Sequence, residues 1–97
     1  MYAGTLRFDL LLGDVRSLKE KRSVVRPIVA ELRRKFAVSA AETGEQNLYR
    51  RAEIGVAVVS GDLAHLKDVL DQCERWMVGR PEIELLSARQ RVHSDDD

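Results

Sequence analysis

Residues 2–36 read YAGTLRFDLLLGDVRSLKEKRSVVRPIVAELRRKF, and their apolar period changes partway from two to about 3.6. From Tyr2 to Leu12 the alternation is strict. Leu6, Phe8, Leu10 and Leu12 face one way; Thr5, Arg7, Asp9 and Leu11 face the other, as in a strand buried on one side. Gly13 and Asp14 end it. Ser17 followed by Glu20 has the form of a capping box, in which the hydroxyl accepts from an early helical amide and the carboxylate reaches back to the cap. Leu18, Val25, Ile28, Leu32 and Phe36 then share one helical stripe. Pro27 removes a ladder hydrogen bond on the side away from that stripe, so a kink or a short first turn is expected there.

Further along the chain the same reasoning places a weak strand at Ala37–Thr43, a polar connection Gly44–Asn47 and a third strand from Tyr49 to Ser60. In the third strand Ala52, Ile54, Val56 and Val58 oppose Arg51, Glu53, Gly55, Ala57 and Val59. Asp62 is the expected cap of a second helix reaching Val78. Its apolar side carries Leu63, Leu66, Val69, Leu70, Cys73, Trp76 and Met77, and Gly79 and Pro81 stop it. Ile83–Val92 is a last strand whose phase the residues leave open. The acidic segment 93–97 is expected to fray. The order β-α-β-β-α-β predicts an α+β, ferredoxin-like sandwich: a four-stranded antiparallel sheet with both helices on one face. Right-handed crossovers put the first and third strands at its centre, making residues 1–92 one domain.

Composition narrows the class. Of 97 residues, 44% are apolar and 33% charged, which is ordinary for a soluble globular domain rather than a disordered one. The longest apolar runs, Leu10–Leu12 and Val56–Val59, are too short to span a bilayer, and the chain enters a strand pattern without a secretory signal. One cysteine excludes an internal disulfide and suits a cytoplasmic protein. Cys73 falls on the second helix's apolar side and reads as a small buried hydrophobe; Phe8 and Trp76 read as core anchors.

Three segments look familiar: SLKEKR at 17–22, KFAVSAAE at 35–42 and GVAVVS at 55–60. Together they resemble the YlxP-like family of small bacterial proteins over almost the whole chain. The resemblance implies a ferredoxin-like fold and a cytoplasmic bacterial protein whose relatives are often encoded beside transcription, translation and ribosome-maturation factors. It supplies no catalytic residue. Ala37 departs from the asparagine common in similar proteins, and Asn47 from their aspartate.

No reactive constellation stands out in the chain. His65 and His93 are far apart, no metal-ligand spacing occurs, and neither a Walker loop nor GxGxxG is present. Asp62, Asp68, Asp71 and Glu74 read as a solvated helix face. The expectation is therefore a non-enzymatic protein without metal or cofactor.

Charge is the exception to this blandness. The chain has 16 basic and 16 acidic residues, yet residues 17–36 hold seven cations against two anions. Lys19, Arg22, Arg26 and Arg33 share one side of the helix, beside the apolar stripe. With Lys21, and with Arg50 from the Tyr49-Arg50-Arg51 segment, they are the candidate contacts to phosphate. The expected open sheet face shows no aromatic on the two central strands, so base stacking there is not expected. RNA or ribosome binding would be led by the helix and directed mainly to the backbone. The alternative is a homo-oligomeric interaction or small-ligand-sensing module. A homodimer would use that open face, where Gly55 and Ala57 are small and Leu11 and Val59 apolar, or the edge strand Val38–Ala41.

Overall fold

The first strand forms with the expected bounds as β1 (Tyr2–Leu12), in a computed structural model that describes residues 1–95. It lies between two antiparallel partners. β3 (Arg51–Ser60) pairs with it from Tyr2↔Ser60 to Leu11↔Arg51, and β4 (Ile83–Ser94) from Tyr2↔Ser94 to Leu12↔Ile83. β2 (Ser39–Gly44) is the far edge, so the sheet order is β2-β3-β1-β4. With α1 (Leu18–Phe36) and α2 (Leu63–Val78) joining the strands, the chain has the ferredoxin-like α+β order.

Both helices cover one face of the sheet. Leu6, Phe8, Leu10 and Leu12 of β1, with Ala52, Ile54 and Val56 of β3, meet Val25, Ile28 and Leu32 of α1 and Leu70, Cys73 and Met77 of α2. All are buried. At about 1.5–3 kcal/mol for each large side chain taken from water, this layer dominates the favourable side of folding. Trp76 is an exception to the expected core. It is half-buried at the rim, edge-on to Phe36 at 6.3 Å, with the Arg80 guanidinium 4.5 Å above its ring.

The caps explain where the helices begin. Ser17 accepts from the Glu20 amide at 3.1 Å, and Asp62 accepts from Ala64 and His65. The return arm of the box lands one residue early: Glu20 Oε2 accepts from the amide of Arg16, not Ser17. Pro27 does not divide the helix. It sits on the exposed side of an unbroken α1.

Three of the boundaries that differ from expectation have a local reason. β2 begins at Ser39 because Ala37 turns left-handed (φ 54°) and donates its amide to Arg33, closing α1. β3 begins at Arg51, since Leu48 and Tyr49 remain in an exposed turn. β4 continues to Ser94, beyond the expected Val92, and the Asp95 amide donates to the Met1 carbonyl. His93 and Ser94 are therefore sheet, not tail, while Asp96 and Asp97 lie outside the described residues. The unread phase of β4 has a cause. The register shifts between Asp9↔Ser87 and Leu10↔Leu85, leaving Leu86 as an extra, exposed residue. Among the described residues no helix is long and apolar enough to cross a membrane.

Candidate functional site

The outward side of α1 holds Lys19, Arg22 and Arg26, three and four residues apart and all exposed. With Ser23 and Pro27 they line a shallow depression of about 370 Å³. No carboxylate pairs with any of the three among the described residues. Elsewhere on the helix Lys21, Arg33 and Arg34 are engaged. Arg34 holds Glu31 at 2.7 Å, which draws the Glu31 carboxyl below its ordinary pKa through that hydrogen bond.

The remaining three candidates are not in this row. Lys21 is 2% exposed. Its ammonium donates to the carbonyls of Glu45 at 2.5 Å and Leu48 at 2.7 Å, and lies 3.1 Å from Glu42 Oε2. That carboxylate oxygen is itself buried and makes no other polar contact, so Lys21 is its counter-charge. Lys21 is thereby corrected from a surface cation to a core residue. A signal for this stands in the sequence: Leu18, Lys21, Val25, Ile28 and Leu32 are spaced three, four, three and four, so Lys21 fills a slot of the apolar stripe. Arg33 stays exposed, but its Nε donates to the Ala40 carbonyl at 2.9 Å and leans toward β2. Arg50 is tied to the end of β1, donating to the Gly13 carbonyl at 3.0 Å, in a depression shared with Glu82 and Glu84.

The other sheet face is uncovered. Arg7 there stands directly opposite Arg89 on β4, and Arg91 follows opposite Thr5. Neither Arg89 nor Arg91 entered the candidate set, because the phase of β4 hides which side they take; the alternation Ser87, Arg89, Arg91 is the signal. The floor of this face is built of small residues. Gly55 is held small by Thr43, whose methyl would lie 2.8 Å from an added Cβ. Phe, Tyr and Trp are absent from this face among the described residues, since Tyr2 and Phe8 share the register of the buried side.

Cys73 is fully buried, and desolvation pushes its thiol up to about 11, far from a reactive thiolate. Among the described residues no three His, Cys, Asp or Glu side chains gather closely enough to hold a metal.

Fold and surface thus define a class: a small ferredoxin-like α+β domain that carries an exposed cationic row on its first helix. More narrowly, the chain belongs to the family described as protein of unknown function DUF503, whose model matches residues 3–90. It is similar to the uncharacterized protein YlxP of Bacillus subtilis (strain 168), at 33% identity over 81 residues, covering 84% of this chain and 88% of that protein.

Proposed function

We propose that this protein is a non-enzymatic, RNA- or ribosome-associated binding protein of the bacterial cytoplasm that holds phosphate backbone against the outer side of α1. The observation that carries the reading is the row Lys19–Arg22–Arg26, exposed, on one helical side and without carboxylate partners among the described residues. Cations held apart from anions on a rigid helix keep their field for a ligand, whereas paired ones have little left to offer. The absence of Phe, Tyr and Trp from the open sheet face, among the described residues, supports backbone contact over base stacking.

Three phosphate contacts predict a log–log dependence of affinity on salt with a slope of about −2 to −3. Reversing charge at two of them (Arg22→Glu with Arg26→Glu) is expected to weaken binding of a structured RNA about tenfold or more and to flatten that slope. Both residues are solvent-facing, so the circular-dichroism spectrum stays as in the parent. Unchanged affinity in a filter-binding titration removes α1 as the site.

A second reading, a homo-oligomeric interaction module joined through the open sheet face, is favoured by Val59. That residue is 66% exposed at the end of the small-residue floor. Sedimentation measures it directly.

A further inference from the structure

The open face contains an arrangement that sheet stability alone does not favour. Arg7 and Arg89 are directly opposed across β1 and β4, and Arg91 lies two residues further along the same strand. Like charges facing each other across an antiparallel pair destabilise it. The three guanidinium groups border one depression of about 210 Å³. Arg7 is partly compensated by Glu53, 3.6 Å from its Nε, but Glu53 is also held by the Thr43 hydroxyl at 2.7 Å. Asp9, next along β1 on this face, is taken up by the Ser87 hydroxyl at 2.8 Å. Arg89 and Arg91 have no carboxylate partner among the described residues. Arg7 also borders a second, larger trough of about 390 Å³, floored by Ala41, Gly55 and Ala57 and edged by Thr5 and Ser39.

We propose that this face is a binding site for a small organophosphate, its phosphoryl group held by Arg7, Arg89 and Arg91 and its uncharged body lying in the neighbouring trough. A phosphoryl dianion offers enough oxygens to engage several guanidinium forks, where a single carboxylate is satisfied by one. The trough has the size of a small-molecule site and is mainly apolar in lining, so the uncharged body of such a ligand can lie against it. This site is separate from the α1 row, which lies on the helical side of the sheet, and goes beyond the polyanion reading. A chain of nucleotides is a poorer fit, because one small depression accepts one phosphoryl group and, among the described residues, no Phe, Tyr or Trp stands on this face to stack the bases.

Amide chemical shifts of labelled protein test it with four probes: inorganic phosphate, adenosine monophosphate, adenosine and a short RNA. Phosphate and the monophosphate are expected to move the amides of Arg89 and Arg91. The monophosphate alone should also move Gly55 and Ala57, and adenosine should do little. Arg89→Ser, an exposed edge-strand change, is expected to weaken the monophosphate about tenfold or more. Ala57→Leu is expected to fill the trough, keeping phosphate while losing the gain from the nucleoside. In the Arg22→Glu, Arg26→Glu variant the monophosphate response stays intact, so the two readings fail separately. The proposal is overturned if neither phosphate nor monophosphate perturbs these amides, or if Arg89→Ser responds as the parent does while its spectrum remains folded. It is also overturned if only RNA binds through Arg89, with affinity that grows with length.

Discussion

Lys21 occupies a slot where the spacing of α1 calls for a hydrophobe, and its consequences are those of a buried charge. An ammonium taken from water has to recover its solvation from fixed partners, and here it does so from two carbonyls and Glu42. The pair therefore fastens the turn at 45–48 to the helix. Lys21→Met removes the cation but leaves Glu42 partly buried beside it, and is expected to cost about 3 kcal/mol in urea unfolding. Adding Glu42→Leu is expected to return most of that loss, since the leftover charge goes too; a double variant as unstable as the single one overturns the account. Cys73 gives a pH test. Burial raises its folded pKa to about 11, above the ordinary thiol value, so the unfolded chain loses this proton first as pH climbs. The stability it contributes is full below the unfolded pKa and is lost between there and about 11. At roughly 1.4 kcal/mol for each pKa unit, that loss is about 2–3 kcal/mol. Cys73→Ala starts less stable but should show a shallower decline across that alkaline window, measured as the difference between two unfolding series.

At the scale of elements, β1 and α2 approach closely because Gly4 carries no side chain. A Cβ there would lie 2.8 Å from Leu70 Cδ1 and 3.3 Å from Leu66, both fully buried. Gly4→Val is expected to overpack this contact and destabilise by about 1–3 kcal/mol, read from the urea midpoint. An unchanged midpoint means that α2 shifts freely on the sheet. The seam between α1 and β2 is closed differently. Ala37 adopts a left-handed conformation that asparagine, the residue expected here of similar proteins, accepts more readily than alanine. In this chain the helix end is held there in spite of its residue, by the amide of Ala37 on the Arg33 carbonyl and by Arg33 Nε on the Ala40 carbonyl.

Over the whole molecule, a chain of balanced charge gathers two groups of three cations on opposite surfaces. The outer side of α1 presents Lys19, Arg22 and Arg26, and the open sheet face presents Arg7, Arg89 and Arg91. Two ligands could thus be held at once without competing. The open face also bears on self-association. If two copies meet there, sedimentation is expected to give a mass that rises with protein concentration, and Val59→Lys is expected to return it to that of one chain. A mass independent of concentration into the high micromolar range removes the second reading.

The central place of β1 follows from the order of elements and the right hand of crossovers. That order, and the side that α1 and α2 bury, follow from residue periods, because a half-buried strand or helix must segregate its apolar residues. Tyr2–Leu12 and Asp62–Val78 could be read almost to the residue for that reason, and so could the row Lys19, Arg22, Arg26, whose spacing is intrahelical. Other features needed the folded chain. The destination of Lys21 depends on carbonyls more than twenty residues away, and the pairing of Arg7 with Arg89 depends on a register displaced by the bulge at Leu86. Local pattern determines which side of an element faces the core. Only long-range pairing decides which charges end up together, and whether water or protein solvates them.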